Sequence, residues 1–299
     1  MPTPLFDLCW QNYRMTLGRR TRIMGILNVT PDSFSDGGRF FQADRALAHA
    51  EKMIADGADI IDVGGESSRP FSDPVSEEEE ARRVLPIIEH LARQMPVPIS
   101  IDTTKSAVAR RAIDAGASII NDISALMVDP KIGAMAAAHD VLLILMHMKG
   151  TPKTMQIAPV YDDLMGEIHD FLAGAISRAV ACGVPASRII IDPGIGFGKT
   201  VSHNLRLING MDWFSDLKAP ILAGVSRKAF IRKILTSANG DERLPDHVDV
   251  MFGTQAAVAI AVLSGAHMVR VHDVAATRTT LRIVDAVKNA GQPELEAFL

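Results

Sequence analysis

Three times along the chain a Gly-Ala pair is followed, at one fixed distance, by a short apolar run ending on a polar side chain. Gly57-Ala58 leads to Asp62, Gly116-Ala117 to Asn121 and Gly265-Ala266 to Arg270, each five residues after its glycine. A glycine in the left-handed conformation ends a helix, and the chain then enters a buried strand whose carboxyl end is polar. Apolar runs at 23–27, 99–102, 142–147, 189–192 and 221–226 have the same character, so eight strands are expected. Helix patterns lie between them at 43–55, 76–94, 106–115, 131–138, 162–181, 202–211, 228–235 and 275–290, and Glu77 to Glu80 suit the positive end of the second one. Strict alternation of this kind over 299 residues predicts an α/β fold, a single parallel (β/α)8 TIM barrel. A doubly wound dinucleotide fold is disfavoured, because the first strand is not followed by its glycine fingerprint. The expected layout is a short cap over residues 1–21, irregular apart from a strand near 13–16, then the barrel over 22–290 and a tail over 291–299.

Composition narrows the function. At 47% hydrophobic residues the chain fills a large core, and a net charge of −4 argues against a general nucleic-acid binder. Cys9 and Cys182 have no metal-ligand or CxxC spacing and read as apolar fillers in a reducing compartment. Neither a signal peptide nor a run of about 20 apolar residues is present. A cytoplasmic protein without membrane association is the expectation.

In such barrels, functional groups come from the carboxyl ends of different strands and from the loops that follow. Here that list is Asn28, Asp62, Asp102, Asn121 and Asp122, His147, Asp192, Ser226 to Lys228, and Arg270 with His272. Asp102, Asn121 and Asp192 offer acceptors and an amide that match the edge of a planar heterocycle, and helix capping is the lesser reading for Asp102 and Asp192. Arg69, Arg227, Lys228, Arg270 and His272 would form a local anion site in an acidic protein. His147, between Met146 and Met148, reads as a core histidine. Residues 192–199, DPGIGFGK, lack the P-loop spacing and read as a flexible wall of the mouth carrying Phe197, which can stack on a ring. Asn28, with Asp36 or Asp102, suits Mg²⁺, which takes few protein oxygens.

The motifs MGILNVTPDSFSDGG (24–38), DVGGESSRP (62–70), IDTTK (101–105), IND (120–122), LMHMKGTPKTMQ (145–156), DPGIGFGK (192–199), SRK (226–228) and RVHD (270–273) closely resemble those of the dihydropteroate synthase family. The resemblance runs from about residue 22 to about 288. It implies a (β/α)8 barrel that joins 6-hydroxymethyl-7,8-dihydropterin pyrophosphate to 4-aminobenzoate and releases pyrophosphate, in a homodimer inhibited by sulfonamides. Carried over by motif, the pterin pocket corresponds to Asp102, Asn121, Asp192 and Lys228, with Arg270 flanking the ring. The resemblance assigns Asn28 to the metal, and Arg69, Arg270 and His272 to pyrophosphate. Phe34, Ser68, Arg69, Pro70, Phe197 and Lys228 match positions around the aminobenzoate. Ser68 stands where the family often has threonine, and Ala229 where many members have a serine, which leaves the aminobenzoate carboxylate to backbone N–H groups after Lys228.

The expected mechanism is dissociative. Mg²⁺, Arg69, Arg270 and His272 stabilise departing pyrophosphate, Asp102 and Asp192 stabilise the pterin cation, and the amine then attacks without a strong base. Asp102, Lys228, Arg69, Arg270 and His272 are the catalytic candidates. The loop at 30–38 is expected to close over pyrophosphate and to bring Phe34 to the amine. The competing readings are a methyltetrahydrofolate:corrinoid methyltransferase, which has no use for the basic set, and a non-catalytic pterin-binding barrel.

Overall fold

A computed structural model describes residues 4–30, 39–68, 72–236 and 243–290. The chain begins with an antiparallel hairpin of β1 (Phe6–Trp10) and β2 (Tyr13–Leu17). There follow β3 (Arg22–Asn28), α1 (Arg39–Asp56), β4 (Ile60–Gly64), α2 (Glu77–Gln94), β5 (Ile99–Asp102), α3 (Ser106–Asp114) and β6 (Ile119–Asp122). The second half runs α4 (Lys131–Ala138), β7 (Leu142–Met146), α5 (Leu164–Ala181), β8 (Ile189–Asp192), α6 (Val201–Asn209), β9 (Leu222–Ala223), α7 (Ala229–Ile234), α8 (Val248–Leu263), β10 (Met268–Val271) and α9 (Val274–Lys288).

The strands β3 to β10 form one parallel sheet in the order β8-β7-β6-β5-β4-β3-β10-β9. A bridge between Ile191 and Ile221 closes it into a barrel, with the Ile191 N–H donating to the Pro220 carbonyl at 2.9 Å. The three Gly-Ala pairs act as their sequence suggests. Gly57, Gly116 and Gly265 have φ of 107°, 111° and 119°. The N–H groups of Ala58, Ala117 and Ala266 each reach back five residues, to Met53, Ala112 and Ala261, at 2.9 Å. This is the Schellman closure of a helix, and it launches β4, β6 and β10 at the same phase.

Strand side chains alternate between the two faces of the sheet. Outward residues such as Ile23, Leu27, Ile61, Val63, Ile101, Leu143 and Ile191 pack under the helices. Inward residues Met24, Ile60, Ile119, Leu142, Ile144, Ile190, Leu222 and Met268 form an apolar floor, plugged from below by Leu8, Trp10, Met15 and Leu17 of the hairpin. The polar strand ends therefore gather at the opposite mouth.

Three expectations need correction. Residues 6–17 are a regular hairpin, because Leu8 and Trp10 alternate with polar neighbours and so share one buried face. Helix α8 lies outside the expected helices, since VDVMFGTQAAVAIAVL is apolar nearly all round and lacks a stripe of period 3.6. The expected strand at 221–226 is also shorter, reduced to Leu222–Ala223. No helix among the described residues is long and apolar enough to cross a membrane.

Candidate active site

At the mouth, the three side chains that follow the Gly-Ala pairs meet. Asp62 Oδ2 accepts from Arg270 Nε at 2.6 Å and from Asn121 Nδ2 at 3.0 Å. Arg270 turns its Nη2 to Asp102 Oδ2 at 2.7 Å, so one guanidinium spans two carboxylates from neighbouring strands. Asp62 is completely buried and Arg270 is 16% exposed. Burial pushes the Asp102 carboxyl up to about 7 against the pull of Arg270, and the charges of Asp62, Glu80 and Asp122 add to the rise. Burial acts downward on Arg270, but Asp62 and Asp102 outweigh it and hold the guanidinium above its ordinary range.

Across the mouth, Asp192 Oδ1 accepts from the Gly194 N–H at 2.7 Å, a turn contact in place of a helix cap. Burial raises its carboxyl, opposed by that N–H and by Lys228, Lys199 and Arg270. Lys228 is pushed down to about 8 by burial and by Arg270, against Asp192 and Asp102. Its Nζ sits 3.8 Å from the centre of the Phe197 ring, and its stem crosses Gly196. Gly196 has φ of 85°, and a Cβ there would meet Lys228 Cδ at 2.8 Å, so both backbone and packing require glycine.

The DPGIGFGK turn is not a loose wall. The Gly196 N–H donates to Asn204 Oδ1 at 2.7 Å, Phe197 N–H to the Gly194 carbonyl at 3.1 Å, and buried Lys199 bonds the Phe197 carbonyl at 3.0 Å and His147 Nδ1 at 2.9 Å. Burial and Lys199 hold His147 down at about 2, in keeping with a core histidine. Phe197 packs with Met146 and Met155.

The basic set divides. Arg227 binds Asp273 through Nε at 3.1 Å and Nη2 at 2.7 Å, so it locks the β9–α7 connection to the end of β10 and is spent as an anion ligand. His272 is neutral, since burial and the charges of Arg227 and Arg270 press it down to about 3. Ser226 Oγ accepts the His272 backbone N–H at 3.2 Å and stands 3.0 Å from His272 Nδ1, within hydrogen-bond reach of the ring. With the ring proton assigned to Nε2, Ser226 can donate to Nδ1 and a neutral His272 keeps one N–H to offer an anion. Asp122 is a turn residue, accepting from Ser124 N–H, Ser124 Oγ and Leu126 N–H at 2.7–2.8 Å.

Asn28 stands at the end of β3, paired in register with Gly64. A Cβ on Gly64 would lie 3.6 Å from Asn28 Oδ1 and 3.7 Å from Asp102 Oδ2, so the missing side chain leaves both oxygens facing one space. Among the described residues no three His, Cys, Asp or Glu side chains form a metal cluster. The donor set suits a hard ion that takes one protein oxygen and fills its shell with water and substrate oxygens. Ser68 lines a cavity of about 280 Å³ with Asp102, Thr103, Ile123 and Met148. Ala229 is the first residue of α7. Phe34, Asp36, Arg69 and Pro70, with residues 31–38 of the segment expected to close over pyrophosphate, lie outside the described residues.

Asp62 is the residue that sequence reading placed at a strand end without a role. The signal was present in its shared spacing with Asn121 and Arg270. A parallel barrel that gathers carboxylates, an amide, a guanidinium and an ammonium over a stacking ring defines an enzyme for a flat, hydrogen-bonding heterocycle bearing an anion. The family model for pterin binding enzymes matches residues 24–272. The curated dihydropteroate synthase of Synechocystis sp. is 46% identical over 270 residues, covering 90% of this chain and 91% of that protein. The Yersinia pestis dihydropteroate synthase, solved in a sulfonamide drug complex, superposes with a TM-score of 0.86 at 42% identity, covering 95% of this chain and all of the other. The Xanthomonas albilineans enzyme in complex with 7,8-dihydropteroate gives 0.83 at 40% identity, with 94% and 98% covered. The chain belongs to the pterin binding enzyme family and, within it, to the dihydropteroate synthases.

Proposed function

We propose that this chain condenses 6-hydroxymethyl-7,8-dihydropterin pyrophosphate with 4-aminobenzoate, giving 7,8-dihydropteroate and pyrophosphate. The observation that carries the reading is the Arg270 guanidinium held between Asp62 and Asp102, with Asn121 on the same carboxylate. Full-length relatives of the same activity support it and do not favour the corrinoid methyltransferase or the non-catalytic alternative.

The pterin lies over Asp102, Asn121, Asp192 and Lys228, whose acceptors and donors match its edge. The remaining N–H groups of Arg270 and the Nε2–H of His272 face the pyrophosphate, together with Arg69. Ser68, Phe197 and Lys228, with Phe34, Arg69 and Pro70, surround the aminobenzoate. Asn28 would hold Mg²⁺, which would supply positive charge to the leaving pyrophosphate oxygens. The C–O bond to pyrophosphate breaks first, leaving a methylene cation delocalised into the ring above Asp102 and Asp192. The amine lone pair then forms the C–N bond, and the amine releases a proton to solvent. Because an aryl amine is already a competent nucleophile, positioning replaces base catalysis.

The chain works as a homodimer in the cytoplasm. Supporting the dimer, α8 leaves Phe252, Ile260 and Leu263 exposed, and the neighbouring α9 does the same with Ile283 and Val287. A surface of that kind marks an association site. Two free cysteines agree with a reducing compartment.

The test is pyrophosphate release with and without 4-aminobenzoate, run with isotopically labelled water. Amine-dependent release giving dihydropteroate is expected, with slow amine-free release and trapping of the cation by water. Absence of dihydropteroate would overturn the activity. Strict amine dependence without trapping would overturn the dissociative order alone.

A further inference from the structure

The segment leaving β4 runs through Gly65, Glu66 and Ser67 to Ser68, and it is clamped from two directions. From α2, Arg83 donates Nη1–H to the Gly65 carbonyl at 2.8 Å, while Glu79 holds the Arg83 Nε at 2.8 Å. Gly65 lies so near this helix that a Cβ would come within 2.8 Å of Val84 and 3.0 Å of Glu80 Cγ. From the β5–α3 connection, Lys105 places its ammonium between the carboxylates of Glu66 and Glu80. Glu80 is 1% exposed, Lys105 18% and Glu66 29%. Lys105 follows Asp102 by three residues, and its own N–H is tied to Thr103 Oγ1 at 3.2 Å. Lys105 thus joins the strand end that carries Asp102 to the one that carries Ser68.

We propose that Lys105 is a positioning residue for the amine subsite: held between Glu66 and Glu80, it sets where the Gly65–Ser68 segment stands relative to Asp102. The inference rests on the activity proposed above. Surface ion pairs on helices contribute little, but this ammonium neutralises two carboxylates, one of them buried. Burial pushes Glu80 up despite Lys105 and Thr103, so its ionised form depends on that partner. Without the ammonium the two carboxylates face each other with Thr103 as the other polar neighbour. Glu80 is fixed in α2, so Glu66 moves and carries Ser67 and Ser68 away from the reacting centre. A displacement of about 1 Å there is enough to lower turnover by up to about a hundredfold.

The experiment measures calorimetric affinities for pterin pyrophosphate and, with saturating pyrophosphate present, for 4-aminobenzoate, together with KM and kcat for wild type, K105M, K105R and E66Q. K105M is expected to weaken aminobenzoate affinity and raise its KM about tenfold or more, leaving pterin pyrophosphate affinity within about threefold. K105R, whose guanidinium can bridge both carboxylates, is expected to restore most of the loss. E66Q should shift aminobenzoate in the same direction. Because it keeps the Lys105–Glu80 pair, it decides the matter if K105M fails to fold. Unchanged aminobenzoate affinity in E66Q, or matched losses for both substrates, overturns the proposal. Failure of wild type to release pyrophosphate overturns the functional reading instead, while the two binding affinities still decide the role of Lys105.

Discussion

Asp102 carries a charge that its surroundings only half tolerate. Its carboxyl, pushed up to about 7 by burial against the pull of Arg270, is mixed between acid and carboxylate near neutral pH. A group whose folded value is raised binds more protons in the native state, so its contribution to stability falls as pH climbs from the ordinary carboxylate range through 7. Ligand binding runs the other way, because the N–H groups of a pterin edge need the ionised acceptor. Affinity for 6-hydroxymethyl-7,8-dihydropterin, followed by fluorescence titration, is expected to rise about tenfold between pH 6 and pH 8. It should fall again above pH 8 as Lys228, lowered to about 8, loses its proton. Asp102→Asn should abolish the rising limb; a rise that survives it would move the titrating group elsewhere.

Elements show where period and environment agree. Strands β4, β6 and β10 were legible because each is preceded by a glycine with a positive φ and reaches a polar group five residues after it. Helix α8 was not legible. Its two apolar faces serve different purposes, one buried against the barrel and one exposed, so no stripe distinguishes them. The β1–β2 hairpin shows what an element outside the barrel repeat contributes. Trp10 is 1% exposed, stacks on Tyr13 at 5.4 Å and fills the floor under Met24 and Leu142. Trp10→Ala is expected to cost about 3–5 kcal/mol in urea unfolding, by lost burial and the cavity left behind. Turnover of the folded fraction should stay within about twofold, since the floor lies at the opposite end of the strands from the mouth. A selective loss of turnover would mean that the hairpin shapes the site.

For the whole molecule, the exposed apolar face of α8 and α9 is where the proposed dimer is tested. Phe252, 61% exposed, is the most exposed large apolar side chain described on α8, with Ile260 and Leu263 further along the helix. Phe252→Asp is expected to convert the dimer to a monomer in sedimentation velocity, because an unpaired carboxylate would be buried in an apolar interface. A dimer that persists unchanged would place the contact on another face. The direction of the barrel explains why assembly and chemistry can be separated. Strand carboxyl ends converge at one mouth, while α8 and α9 lie on the flank.

By itself the sequence determined the eight-strand alternation and the direction in which polar ends point, so that Asp102, Asn121, Asp192 and Arg270 stood out as strand-end residues. These follow from local periodicity and backbone requirements, which neighbouring residues impose on one another. Only the tertiary structure decided the pairings. It showed that Arg227 is consumed by Asp273, that burial and neighbouring cations press His272 toward its neutral form, and that Asp62 holds Arg270 and Asn121. It also placed Lys105 between Glu66 and Glu80. A charge's partner and its protonation depend on which groups arrive from other strands and on how much water they displace, and neither quantity is local in sequence.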